Sequence, residues 1–205
     1  MEERKRGRPA QDRVAQKKHL IAAATDVLLK GGYARFSIDA VAKAGAMAKK
    51  TVYSFVSNRD ELVGLIVSSW TDSFAPQPLE SGPDGQALPV LLARIHRVAL
   101  SGDAVSLFRI IVEDPVARAE LALPYNENGI ERGVRSLIDC LRAKRGTDPA
   151  RLEPVARAML AWLIGEPLRR AALGLEAPQD LSDEEVRHRV DRCIDLFRPM
   201  LAAAD

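Results

Sequence analysis

Residues 41–62 read VAKAGAMAKKTVYSFVSNRDEL, and this stretch restricts the fold more than any other. Two short segments of helical periodicity meet at small residues around Gly45. A lysine pair follows, and a third segment opens with Ser-Asn-Arg-Asp-Glu-Leu. Two readings fit: a helix-turn-helix that enters a DNA groove, or a tight bend in a helical core. Projection decides between them. At about 100° per residue, Val52, Phe55 and Val56 fall on one side of the helix that the spacing predicts over 48–56. Lys50 and Ser54 fall on the opposite side, with Lys49 and Tyr53 on one margin and Thr51 on the other. The front of that helix offers ammonium, hydroxyl and phenol groups to phosphates and base edges. No acidic residue occurs from Lys43 through Arg59 to oppose DNA.

Charge along the chain points the same way. Residues 1–59 hold 13 Lys and Arg against 5 Asp and Glu, a net +8, whereas residues 60–205 hold 17 against 23, a net −6. Beyond residue 50 the only lysine is Lys144. A basic head on an acidic body is the pattern of a chain whose head meets a polyanion and whose body does not.

The 205 residues can bury a real core, as one domain or two small ones. No apolar run approaches the length a membrane helix needs, and the expected location is the cytoplasm. Cys140 and Cys193 lack metal-ligand spacing and are too few for a disulfide framework, so they read as buried thiols. The sequence predicts an all-α fold. A polar arm over 1–11 leads into a helix over 12–30, with Leu20, Ile21, Ala24, Val27 and Leu28 on its inner side and Gly31-Gly32 ending it. Ser37 caps a second helix from Ile38 to about Gly45. Asn58, with Glu61 three residues on, caps a fourth lined by Leu62, Leu65, Ile66 and Trp70. APQPLESGPDGQ (75–86) is the clearest break. Helices follow over about 87–101, 103–113, a broken one over 115–145, 150–173 and 183–201. Ser182 and Glu185 form a capping box on the last, with Leu181 and Val186 as its hydrophobic staple. The expected organisation is a basic arm over 1–11, a DNA-binding domain over 12–57 and a helical body over 58–205.

The sequence resembles the N-terminal DNA-binding domain of the TetR family of bacterial one-component regulators. LIAAATDVLLKGGYARFSIDAVAKAG and then KKTVYSFVSNRDEL carry the likeness, through Gly32, Tyr33, Phe36, Ser37, Thr51, Val52, Tyr53 and Arg59 to Leu62. The close match spans residues 17–65, with weaker echoes in ERGVRSLIDCLRAKRG and WLIGEPLRRAALG. One departure stands out: the family's Ala-Gly turn is Gly45-Ala46 here, and the usual Ser or Thr cap of the third helix is Ala48. The expected DNA contacts are Ser37, Lys49, Lys50, Thr51, Tyr53, Ser54 and Arg59. The arm RKRGRPA adds Arg4, Lys5, Arg6 and Arg8, since an extended Arg-Gly-Arg can follow a narrow minor groove.

The resemblance implies that the body binds a small effector and pairs with a second copy through its last two long helices. Val155, Met159 and Leu163, and Val186, Val190, Ile194 and Phe197, form apolar faces that either close such an interface or complete the core of one chain. A largely apolar effector would meet Trp70, Phe74, Phe108, Tyr125, Met159 and Trp162, with His96 or Glu113 as polar anchors. No cofactor motif is present. His19, His96 and His188 lie far apart and no nucleophile or metal-protease motif occurs, which argues against an enzyme. The remaining alternative is a helical protein–protein adaptor with a basic head.

Overall fold

The computed structural model describes residues 10–74, 87–145, 148–178 and 182–204. The arm with Arg4, Lys5, Arg6 and Arg8, the break over 75–86 and the Leu181 half of the staple lie outside them. Among the described residues all regular structure is helical, in agreement with the all-α expectation. The chain divides into two compact units, one ending at Ile66 and the other beginning at Val67. The boundary falls inside the helix that follows Asn58.

In the first unit, α1 (Ala10–Gly31) buries Leu20, Ala24 and Leu28, one residue per turn. Ile21 and Val27, expected beside them, are only half-buried. Gly32 takes φ 71°, a conformation only glycine adopts without strain, and its N–H closes the helix on the Leu28 carbonyl at 3.0 Å. A single 3-10 turn, Tyr33–Arg35, then lets Tyr33 and Phe36 enter the core at 2% and 1% exposure. Ser37 caps α2 (Ile38–Ala44) by accepting from the Ala40 N–H at 3.1 Å. The third helix, α3, is Lys49–Tyr53. It is shorter than the periodicity predicts, because Ser54 to Val56 continue as a turn that still buries Val56. α4 (Arg59–Thr71) is capped by Asn58, whose Oδ1 accepts from the Glu61 N–H at 2.8 Å. The return bond goes one residue earlier than in a standard capping box: Glu61 accepts from the Ser57 N–H at 2.7 Å.

The second unit begins on α4 and contains α5 (Ala87–Ala99), α6 (Gly102–Glu113), α7 (Pro115–Tyr125), α8 (Glu131–Arg145), α9 (Pro149–Leu160), α10 (Glu166–Ala172) and α11 (Asp183–Ala204). α8 packs on α9 and α5, α11 lies against α5 and α9, and α6 packs on α7 and α10. The break expected over 115–145 is a π-turn, Asn126–Ile130. A second π-turn, Ala161–Gly165, interrupts what the sequence reads as one helix over 150–173. Its cause is Pro167, which has no N–H to give the Leu163 carbonyl four residues back. Arg189 of α11 supplies the missing donor, Nε to Leu163 O at 3.1 Å. The Ser182–Glu185 capping box at the start of α11 forms in both directions, at 3.3 and 2.9 Å.

The packing bears on the two readings of the later apolar stripes. Val155, Met159, Leu163, Val186, Val190 and Phe197 are all buried to 8% exposure or less in the main core of one chain, with Ile194 half-buried against it. Their side chains are therefore enclosed by α5, α8, α9 and α11 of the same molecule. Among the described residues beyond α8, the large apolar side chains left outward are Leu173 and Leu175, which follow α10, and Leu196 and Met200 on α11.

Candidate nucleic-acid interface and ligand cavity

The corner between α2 and α3 explains the shifted glycine. The Met47 N–H reaches the Ala42 carbonyl at 2.8 Å and the Ala46 N–H reaches Lys43 O at 3.2 Å, the bond pattern of a Schellman C-cap. The left-handed position of that motif is Ala46, at φ 46°, not the neighbouring glycine. Gly45 sits at φ −83°, open to any residue, and is needed for space instead. A Cβ there would lie 3.2 Å from Ala23 Cβ and from Met47 Sδ. Its carbonyl also receives His19 Nε2 of α1 at 2.8 Å. Close approach to α1 thus claims the glycine, and alanine bears the left-handed backbone.

Ala48 begins α3 without any side-chain cap. Beside this end an ion pair spans the corner, Lys49 Nζ to Asp39 Oδ2 at 2.7 Å. Both groups are exposed, so the pair contributes little stability. It does hold the Lys49 ammonium firmly protonated through the Asp39 hydrogen bond and charge. It also brings a carboxylate to a surface that the sequence presents as acid-free.

The two faces of α3 are as projected. Val52 is fully buried and Val56 nearly so, while Lys50, Tyr53 and Ser54 are exposed and Thr51 is half-exposed. Tyr53 shows 55% of its surface on this polar front. Lys50 has no ion-pair partner among the described residues. Ser54 turns its hydroxyl to the Thr51 carbonyl at 2.7 Å, and Ser37 is engaged in its cap. Arg59 departs from expectation. Its guanidinium lies 4.0 Å over the Tyr33 ring and donates to Phe36 O at 3.3 Å, so it braces the corner rather than facing outward. Arg13 was not legible from the pattern. From the first turns of α1 it stacks on Phe55 and donates to Ser54 O at 3.3 Å, placing a cation beside α3.

The second unit contains an apolar cavity of about 40 Å³. Of the residues expected at a ligand, Trp70, Phe74 and Tyr125 line it. Phe108 stands behind Tyr125, ring centroids 6.2 Å apart. Thr71, Gly129 and Gly133 are also in its wall, with aliphatic residues such as Val67, Ile95 and Leu160. The other candidates lie elsewhere. Met159 is enclosed in the core and Glu113 is exposed at the end of α6. His96 and Trp162 face a separate, polar cleft of about 580 Å³ that also holds Arg189 and Arg192. Burial and the charges of Arg189 and Arg97 push the His96 imidazole down to about 4, so it is neutral at physiological pH. Neither of its nitrogens has a hydrogen-bond partner among the described residues.

A polar clasp borders the apolar cavity. Arg132 of α8 donates to Ser68 O and Thr71 Oγ1, each at 3.2 Å, and pairs with Asp72 at 2.8 Å. Thr71 donates to Asn128 O at 2.9 Å, and Ser68 donates to Asn128 Oδ1 at 2.8 Å. Asn128 in turn donates to Pro124 O at 2.9 Å. The end of α4 is thereby fastened to the π-turn, an element that recurs at functional sites.

Comparison with known proteins agrees with this architecture. Residues 86–200 match the family described as AefR-like transcriptional repressor, C-terminal domain. The chain is 36% identical over 163 residues to the DNA-binding transcriptional repressor TetR of Mycobacteroides abscessus, covering 76% of this chain and 86% of that protein. Among solved structures, the flavonoid-responsive regulator FrrA superposes with a TM-score of 0.61 at 25% identity, over 91% of this chain and 96% of its own. A TetR transcriptional regulator from Agrobacterium tumefaciens shares the fold, with a TM-score of 0.65 at 19% identity over 93% and 98% of the two chains. With a family match over its second unit and a repressor relative spanning most of its length, the chain belongs to the TetR family of transcriptional regulators.

Proposed function

We propose that this regulator is a repressor that binds a palindromic operator as a dimer, in the cytoplasm, and is released by a small, largely apolar effector. In this reading residues 12–57 form the DNA-reading domain and 58–205 the effector and pairing domain. The observation that carries it is the division of α3 into a buried back, Val52 with Val56, and a cationic, hydroxyl-rich front at Lys50, Thr51 and Tyr53. The Arg-Gly-Arg-Pro arm adds minor-groove contacts, and Arg13 and Lys49 add phosphate contacts.

The size of the apolar cavity supports a conformational mode of release. At about 40 Å³ it is far below the roughly 300 Å³ or more that a drug-sized ligand fills. An effector therefore enters only as its walls part, and those walls include Val67, Trp70 and Thr71 of α4. α4 is the helix that begins at Arg59, within the first unit. Effector binding thus favours a different population of α4 positions, and with it a spacing of the two heads that no longer matches both half-sites.

Binding to a palindromic promoter fragment over a salt series tests the reading. Lys50→Ala is expected to weaken operator binding and to lower the salt slope by about one counterion. Tyr53→Phe weakens binding with the slope unchanged, and both variants stay dimeric. Normal affinity in both would remove α3 as the reading element. Equal affinity for operator and bulk DNA would remove sequence-specific regulation.

A further inference from the structure

The apolar cavity also restricts the charge of its ligand. Among the described residues, no Asp, Glu, Lys, Arg or His lines it. Arg132, which borders the cavity, is already paired with Asp72 and bonded to Ser68 O and Thr71 Oγ1, so an ionised ligand buried there would find no free counter-charge, at a cost that apolar contacts do not offset. Three lining side chains carry a polar atom, Trp70, Thr71 and Tyr125, and the Trp70 indole can only donate. The Thr71 hydroxyl is already engaged, donating to Asn128 O and accepting from Arg132. The Tyr125 phenol is different: it has no hydrogen-bond partner among the described residues. Burial raises its pKa to about 12, so it remains an O–H group at any physiological pH. It is free to donate one hydrogen bond and to accept another.

Two glycines face the cavity, and at Gly133 a side chain would crowd its wall. A Cβ on Gly133 would lie 3.3 Å from Leu160 Cδ1 and 3.9 Å from Phe74 Cε2. A Cβ on Gly129 would lie 3.5 Å from Val67 Cγ1. The backbone of the π-turn and of α8 therefore forms part of the wall, presenting neither charge nor side-chain bulk.

We infer that the effector is an uncharged, predominantly apolar molecule with one hydrogen-bonding oxygen, held at the Tyr125 hydroxyl, and that carboxylates and phosphorylated carriers are rejected. This rests on the reading of the cavity as the effector site.

Matched probes differing in charge test it on the full-length protein near neutral pH: decanol with decanoate, and acetylnaphthalene with naphthoate, titrated by calorimetry. At least one neutral probe binds saturably, and each acid binds roughly tenfold or more weakly than its neutral counterpart. Tyr125→Phe weakens the neutral probe by about fivefold, the scale of one hydrogen bond, without lowering the melting temperature. Gly133→Ala, which adds a methyl at the wall, also weakens it. An acid that binds as well as its neutral counterpart, a Tyr125→Phe variant of unchanged affinity, or failure of both neutral probes overturns the inference. Operator release is scored separately with the same probes. A neutral probe that binds through Tyr125 yet leaves the operator complex intact sinks the release mechanism and leaves the ligand class standing.

Discussion

At the scale of single residues, the informative position is Ala46. An alanine at positive φ carries a penalty of about 1 kcal/mol that glycine avoids. The chain accepts it because Gly45 is held in place by Ala23, Met47 and the His19 hydrogen bond. The transposed Gly-Ala was visible in the sequence as an anomaly. Which of the two takes the left-handed backbone was not, since that depends on how closely α1 approaches. Ala46→Gly is therefore expected to stabilise the protein by ~1 kcal/mol, and Gly45→Ala to destabilise it through its short contacts. Urea denaturation followed by circular dichroism measures both. A destabilised Ala46→Gly would mean that chain entropy outweighs the relief of strain. Arg59 teaches the same lesson. Its place in the sequence motif did not reveal that Tyr33 and the Phe36 carbonyl would capture it.

At the scale of elements, helix starts were more legible than helix continuity. Ser37, Asn58 and Ser182 cap as read, because capping is local chemistry between a side chain and an N–H two or three residues on. The π-turn over 161–165 was missed, although Pro167 was in view, because one extra residue in a turn leaves the apolar pattern nearly unchanged. The clasp on the other π-turn was invisible for a different reason: Ser68, Asn128 and Arg132 lie far apart in the sequence and meet only where the end of α4 reaches the π-turn and the start of α8. It has a measurable role. Arg132→Met removes the donor to Ser68 O and Thr71 Oγ1 and the partner of Asp72, and is expected to lower stability by roughly 2 kcal/mol. If the clasp holds α4 against the cavity, the variant also releases operator at a lower effector concentration than the parent. Loss of stability with an unchanged effector response would make the clasp a fastening and nothing more.

At the scale of the molecule, the charge asymmetry identified the end that meets DNA, because long-range charge is additive along the sequence and needs no knowledge of packing. The pairing surface had no such signature. A helix that finishes a core and a helix that meets a second copy both need an apolar stripe, and the stripes of 155–163 and 186–197 belong to the core. The pairing surface we propose is the outer side of α11. There Leu196 and Met200 are 54% and 47% exposed among Asp191, Arg192, Asp195 and Arg198. Charges of both signs along one helix suit a two-fold contact, in which an acidic residue of each copy meets a basic residue of the other. Replacing both Leu196 and Met200 by Glu places two like charges from each copy at the centre of that contact, while neither side chain is part of the core. The expected product is a folded monomer by sedimentation velocity, with unchanged helicity. Its operator affinity should fall by at least about a hundredfold, since one head alone contacts one half-site. A variant that remains dimeric with full affinity would move the pairing surface away from the outer side of α11, to the exposed Leu173 and Leu175 after α10.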